Sequence, residues 1–134
     1  MDYPTDSMLL VYHGKLPSLN EVINQNRANK YAGAQIKSQL TQEMAWTFKP
    51  QAKALNEPCC VLITFYEPNR RRDIDNIHSA TKFILDALVM AGVGKNDTQK
   101  YVTDVAHEVK LGKPQIEVRL FPNRKFNITI EPVI

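Results

Sequence analysis

The chain has 134 residues, which suits one domain around a single hydrophobic core, and we expect residues 1–134 to form that domain. Its hydrophobic content of 43% and charged content of 23% are typical of a globular protein. No apolar run approaches the roughly 20 residues that a membrane-spanning helix needs, so we expect a soluble protein that is not embedded in a membrane and has no membrane partner. The net charge is +3, and residues 69–134 carry the whole excess, with eleven Lys and Arg against eight Asp and Glu. This asymmetry favours an anionic partner.

The beginning of the sequence and its cysteines indicate a cytoplasmic location. The first residues, MDYPTDSMLLVYHG, lack the basic start and the small-residue cleavage site of a secretory signal. Cys59 and Cys60 are adjacent in a predicted strand, where neighbouring side chains point to opposite faces, so a disulfide between them would be strained. We therefore expect reduced cysteines in a cytoplasmic protein.

The first half of the chain predicts a strand followed by a long helix. Residues 8–13 form a short apolar run that ends at Gly14, which is typical of a strand. The predicted helix covers residues 30–49, and Pro50 ends it. Its core-facing side has one apolar residue every four positions: Ile36, Leu40, Met44 and Phe48.

A second strand and a second helix enclose the most charged segment of the sequence. Residues 58–67 are rich in β-branched and aromatic side chains and predict a buried strand, which leads into the loop NRRRDIDN. The following segment, DNIHSATKFILDALVMAG, has a helical pattern that Gly92 ends. Asp73 or Asp75 is a suitable N-cap for this helix.

The remaining segments predict further strands. Residues 101–111 and 115–121 alternate in polarity around a Gly-Lys-Pro turn and predict a β-hairpin, while Phe126, Ile128 and Ile130 predict a last strand. This order of elements predicts an α+β fold in a single domain, with a mixed β-sheet, helices packed on one face and a C-terminal β-hairpin.

Asp73 and Asp75 form a pair of carboxylates separated by one residue. Their side chains point to the same side only if the segment is extended, because in a helix they would diverge by about 200°. Carboxylates with no intervening His or Cys suit a hard, oxygen-preferring cation such as Mg²⁺ or Mn²⁺. A calcium EF-hand is excluded, because His78 stands where that loop needs glycine and Ile84 where it needs a bidentate Glu.

Two groups of charged residues around this pair each have two interpretations. Arg70, Arg71 and Arg72 attract a polyanion in one interpretation and form a solvated surface loop in the other. The second group lies on one stripe of the predicted helix, which either extends the site or is a solvated face with an ordinary ion pair between Lys82 and Asp86. That stripe consists of Asp75, Ser79, Lys82 and Asp86.

Three motifs in this order resemble the RusA family of Holliday junction resolvases, which is common in phages and prophages. The motifs are RRRDIDN, KFILDALVMAGV and NDTQ, within residues 69–99. A vaguer similarity lies in LPSLNEVINQNR, at residues 16–27. As a compound signature the motifs are specific, whereas DxDN alone would be a weak signal.

The resemblance implies a hydrolase that acts in DNA recombination and repair, an endodeoxyribonuclease that resolves four-way DNA junctions by paired symmetric nicks. It also implies Mg²⁺ as the cofactor, with Mn²⁺ as a substitute, and a homodimer. By motif match, Asp73, Asp75 and Asp97 are the family's three essential aspartates and hold the metal. The essential lysine of the family corresponds to Lys82.

This sequence departs from the family pattern at two points. The family lysine stands four residues after the second aspartate, where this chain has Ser79, so the choice of Lys82 implies an insertion of three residues early in the helix. The usual pair of aspartates at the third position is Asn96 and Asp97 here, which leaves one carboxylate. The expected DNA-contacting residues are Arg70, Arg71, Arg72, Asn76 and Arg27.

Two alternative functions remain open at the level of the sequence. One is a non-catalytic module that binds branched DNA, in which the aspartates balance the arginines and cap the helix. The other is a different Mg²⁺-dependent nuclease or phosphohydrolase that acts on nucleotides or RNA.

Overall fold

The computed structural model describes residues 3–14, 16, 30–94, 100–127 and 130–133. The side chains of residues 30–37 lie outside that description. The helices and strands are β1 (Met8–His13), α1 (Lys30–Phe48), β2 (Cys59–Glu67), α2 (Ile74–His78), α3 (Thr81–Met90), β3 (Val102–Leu111) and β4 (Gln115–Pro122), with a 3₁₀ turn at Lys49–Gln51.

The four strands in the described residues form one mixed sheet in the order β1-β4-β2-β3. β4 is antiparallel to β1 and to β2, whereas β2 and β3 are parallel. β2 lies between β4 and β3, and seven of its nine residues are buried, which agrees with the buried strand predicted for this segment. The predicted α+β class with a mixed sheet is confirmed.

The C-terminal strands form a split hairpin. β3 and β4 run in opposite directions and are joined by residues 112–114, as predicted, but β2 lies between them. The connection crosses the end of β2, where the N–H of Gly112 donates a hydrogen bond to the carbonyl of Glu67 at 2.9 Å. A Cβ atom at Gly112 would lie 3.1 Å from the ring of Tyr66, so the crossing favours glycine.

The helices pack on one face of the sheet, as predicted. Alternate residues of β2 point toward α1 and α3 and form the core with side chains from both helices. The largest buried side chains of this core are Phe48, Leu10, Met44, Ile63, Ile84 and Ile116. None of the helices in the described ranges combines the length and apolar character needed to cross a bilayer.

The segment after β4 does not form the predicted last strand within residues 123–127 and 130–133, and Ile128 lies outside the described residues. Asn123 has a φ of 56°, which turns the chain away from the sheet direction. Beyond it, the Phe126 ring packs edge-on against Phe121 at 5.9 Å, and Arg124 pairs with Asp6 at 2.7 Å. Side-chain contacts therefore hold this segment where strand pairing was expected.

The predicted second helix is divided into α2 and α3 at Ser79 and Ala80. The Ser79 hydroxyl donates to the carbonyl of Asn76 at 2.6 Å, and the Thr81 hydroxyl donates to the carbonyl of His78 at 2.7 Å. Hydroxyl groups that bond to the preceding turn compete with the helical ladder and bend helices. The apolar periodicity continues across the break, so it does not reveal the division.

Candidate metal and nucleic-acid site

The loop between β2 and α2 begins at the C-terminal end of the buried central strand. Asn69 organises its first turn, because its Oδ1 atom accepts the N–H of Arg71 at 3.0 Å. Ile77 anchors the following helix in the core with 3% exposure. The loop therefore presents its charged residues from a fixed frame.

Arg72 is held by the protein itself. Its Nη1 atom donates to the two carboxylate oxygens of Glu67 at 3.0 and 3.3 Å, and its Nη2 atom donates to the carbonyl of Leu16 at 3.2 Å. The Glu67 side chain is only 4% exposed and that of Arg72 is 20% exposed. Sequence reasoning missed Glu67, although an acidic residue at the end of an apolar strand is a signal for such a partner.

Asp73 and Asp75 lie on either side of the start of α2. Asp73 is the N-cap, with extended backbone angles of −66° and 144°, and its side chain makes no capping hydrogen bond. Asp75 lies in the first helical turn, where its Oδ1 atom accepts the N–H of Asn76 at 3.0 Å. The extended conformation expected for this pair therefore applies to Asp73 only.

The two carboxylates provide suitable donors for a divalent cation. Both side chains are exposed, and neither forms an ion pair with a cation in the described part of the chain. Exposed carboxylates that lack an ion-pair partner among the described residues fit Mg²⁺, which prefers hard oxygen donors and retains several waters. The described residues contain no group of three His, Cys, Asp or Glu that could hold a metal, and Asp97 lies outside them.

Lys82 lies in the first turn of α3 rather than on the helix that carries Asp75. Its Nζ atom is 2.9 Å from Oδ1 of Asp86, and its side chain is 62% exposed. The ion pair that the sequence allowed is present, and the break at Ser79 interrupts the predicted stripe.

The other expected DNA contacts differ in their surroundings. Arg70 and Arg71 are exposed, and no carboxylate among the described residues pairs with them. Asn76 is half-buried, and its carbonyl accepts the Ser79 hydroxyl. Arg27 lies outside the described residues.

A pair of stacked histidines lies beneath the junction of α2 and α3. The rings of His78 and His107 are 4.3 Å apart, and Nε2 of His107 is 2.7 Å from the Thr81 hydroxyl. Because that hydroxyl donates its one proton to the carbonyl of His78, it accepts from Nε2–H of His107. Burial, followed by the nearby His78, lowers the pKa of His107. Sequence reasoning missed this pair, since the two residues are distant in the chain.

Comparison with known families agrees with the motifs in this loop. The family described as "Endodeoxyribonuclease RusA" matches residues 17–121, which is well over half of the chain. No curated protein matches the sequence significantly.

Proposed function

Because the chain belongs to the RusA endodeoxyribonuclease family, we propose that it is a cytoplasmic enzyme that resolves Holliday junctions by paired symmetric nicks. The observation that carries this proposal is the Asp73–Asp75 pair at the start of α2, which is exposed and has no ion-pair partner within the described residues. The family match supplies the reaction class, and the geometry supplies oxygen donors for a cofactor.

Asp73, Asp75 and Asp97 would hold Mg²⁺ in this proposal, with Mn²⁺ as a substitute. When bound, the metal would lower the pKa of a coordinated water and neutralise charge that develops on the scissile phosphate. Asp73 at the N-cap and Asp75 in the first turn place two carboxylates at the start of α2, where they would provide oxygen donors for one cation. Their exposure leaves room for a phosphate oxygen.

The cations around the pair would bind and orient the DNA. Arg70 and Arg71 would contact backbone phosphates, which gives salt-dependent affinity without reading the base sequence. Lys82 would stabilise charge on the leaving oxygen after exchanging its Asp86 partner for the substrate. A homodimer with two-fold symmetry would present two such sites, as paired nicks require.

The first test is cleavage of a labelled four-way junction by wild type, Asp75→Asn and Asp104→Asn, with Mg²⁺ or EDTA. Asp104 is a matched control, because it is exposed and its Oδ1 atom also accepts the N–H of the next residue, at 2.9 Å. It lies near the opposite end of the parallel strands. We expect Asp75→Asn to lose more than about 100-fold in rate, since even outer-shell changes at metal sites lose about 10- to 100-fold. Asp104→Asn should retain activity.

Two results would contradict the proposed function. If wild type binds the junction but does not cut it with Mg²⁺, the protein is a branched-DNA-binding module. If linear duplex, RNA or nucleotides compete as well as the unlabelled junction, the site belongs to a different phosphohydrolase. Paired nicks at symmetric positions, abolished by EDTA, support the junction-resolving activity.

A further inference from the structure

A cleft of about 630 Å³ opens next to the loop that carries Asp73. One wall is the loop and first turn around Asp73, and the other is the end of β3. Residues on both sides of Asp73 contribute to it, since Arg72 precedes the aspartate and Ile74 follows it. The cleft therefore adjoins the segment that carries the aspartates, although neither carboxylate is among its lining residues.

The cleft exposes large aliphatic side chains. Ile74 is 56% exposed and Leu111 is 54% exposed, and both line it together with Ile77 and Val109. Leu111 is the register partner of Glu67 at the ends of β3 and β2, so a strand fixes its position. Exposed aliphatic groups on rigid elements indicate a surface that an apolar ligand covers.

The charge at the cleft is positive. Arg70 lines it, is exposed and has no carboxylate partner among the described residues, whereas the adjacent Arg71 is equally charged but does not line it. An occupant with a flat apolar part and an attached anion matches this combination. A nucleotide has such a structure, since its base has apolar faces and its phosphate is anionic.

Hydrogen bonds within the protein fix the walls of the cleft. Arg72 is fixed by Glu67 and by the carbonyl of Leu16, and Asn69 is fixed by the N–H of Arg71. A binding site with fixed walls loses little conformational entropy when it is occupied.

We propose that this cleft holds one unstacked nucleobase of the branched DNA, beside the phosphate that is cut. Ile74 and Leu111 contact the faces of the base, and Arg70 contacts its phosphate. Removing a base from the stack costs least where stacking is already interrupted, as at the branch point. Apolar wedges that separate base steps are a known means of distorting DNA. The inference rests on the proposed function and adds the means by which a branch point is selected.

The test uses four-way junctions with 2-aminopurine placed in turn at each nucleotide beside the branch point. Fluorescence is read in EDTA at protein concentrations that saturate the junction, as verified by anisotropy. For wild type we expect a severalfold increase at one or two positions, because 2-aminopurine fluoresces more strongly when it leaves the stack and aliphatic contacts do not quench it. In Leu111→Ala the increase at those positions should fall by at least about half.

Two matched pairs separate the cleft from general effects on folding or charge. Met90 is 55% exposed at the end of α3 and does not line the cleft, so Met90→Ala should keep the full increase. Arg70→Ala and Arg71→Ala remove the same charge, and only Arg70→Ala should lower the increase per bound junction. Leu111→Asp is the second variant at its position and should reduce the increase further.

Several outcomes would overturn the inference. One is a saturated wild-type complex with no increase at any position, and another is an increase that Leu111→Ala and Arg70→Ala leave intact. A change of oligomeric state in Leu111→Ala, measured by sedimentation, would make the cleft a contact between subunits instead. Cleavage of the junction is measured separately. Normal cleavage without an increase in fluorescence would contradict only the base-binding inference. Absence of both cleavage and junction binding would contradict the proposed function as well.

Discussion

Arg72 illustrates how one residue in a run of like charges differs from its neighbours. Its guanidinium forms three hydrogen bonds within the protein, to the carboxylate of Glu67 and to the carbonyl of Leu16. These bonds tie the loop that carries Asp73 to the end of β2. We therefore expect Arg72 to position the aspartate pair, and Arg70 and Arg71 to contact DNA.

The positioning role of Arg72 predicts that Arg72→Gln and Glu67→Gln change activity in the same direction. Both variants release the loop, so each should lower cleavage at limiting Mg²⁺ by about tenfold, as substitutions next to metal ligands do. Arg72→Gln should also lose about 3 kcal/mol of stability, because it leaves a buried carboxylate without its partner. Cleavage rates across an Mg²⁺ titration and urea unfolding measure the two effects.

Junction affinity in EDTA separates this role from phosphate binding. If Arg72 held a phosphate, Arg72→Gln would weaken binding and Glu67→Gln, which removes a negative charge, would strengthen it. Loop positioning changes affinity little in either variant. Arg71→Gln is the control. Loss of this exposed guanidinium should lower the affinity for the junction and the salt dependence of that affinity, while the Mg²⁺ requirement of cleavage stays unchanged.

At the scale of elements, the break between α2 and α3 connects the helices to the outer strand. Thr81, at the start of α3, donates to the carbonyl of His78 and accepts from His107 on β3. Phe65 of β2 packs against both histidine rings, at 6.2 and 6.1 Å. The contact network that stabilises the break thus includes a titratable group.

Acid should weaken this connection. Burial and the neighbouring His78 lower the pKa of His107 in the folded protein from its ordinary 6.5, so the unfolded chain binds this proton more readily. The contribution of His107 is present above pH 6.5 and is lost as the pH falls through the lowered pKa. Between pH 7.5 and 5.0, wild type should therefore lose more free energy of unfolding than His107→Gln.

Urea denaturation at a series of pH values measures this difference. His13 lies exposed on β1, so His13→Gln is the matched control and should follow wild type. Parallel pH profiles for wild type and His107→Gln would contradict the prediction.

At the scale of the whole molecule, the sheet has two edges, and a side chain covers part of one of them. The amide of Gln51 accepts the N–H of Val11 at 2.9 Å and donates to the carbonyl of Val11 at 3.0 Å. Its Nε2 atom also donates to the carbonyl of Thr47 at 2.8 Å. The turn after α1 thereby satisfies main-chain groups of β1 as a neighbouring strand would.

Gln51→Ala should lower the free energy of unfolding by about 1 kcal/mol, since these hydrogen bonds are exposed and water replaces part of them. Gln42 is exposed on α1 and serves as the control of the same residue type. Gln42→Ala should be neutral or slightly stabilising, because alanine favours helices. Equal stabilities of the two variants in urea unfolding would contradict the bridging role of Gln51.

Much of the fold could be predicted from the sequence, because its elements have strong local signals. The period of four in α1, the β-branched run of β2 and the Gly-Lys-Pro turn each depend on neighbouring residues alone. The break at Ser79 depends on hydroxyl contacts with the preceding turn, which the apolar periodicity does not record. The position of β2 between β3 and β4 depends on pairing between strands that are distant in the chain. The predicted strand around Phe126 was wrong within the described residues, since tertiary contacts of Phe126 and Arg124 replace strand pairing there.

The candidate site divides in the same way. The sequence by itself determined the family, the spacing of Asp73 and Asp75 and the run of three arginines before them, because these depend on residue type and spacing in one short segment. Tertiary structure decided that Arg72 binds Glu67 and that Ile74 and Leu111 line one cleft, because these partners come from separate strands and loops. Because β2 and β3 are parallel, their C-terminal ends lie at the same edge of the sheet. That edge brings Leu111 close to the loop that carries Arg72 and Ile74, and no pattern in the sequence records this proximity.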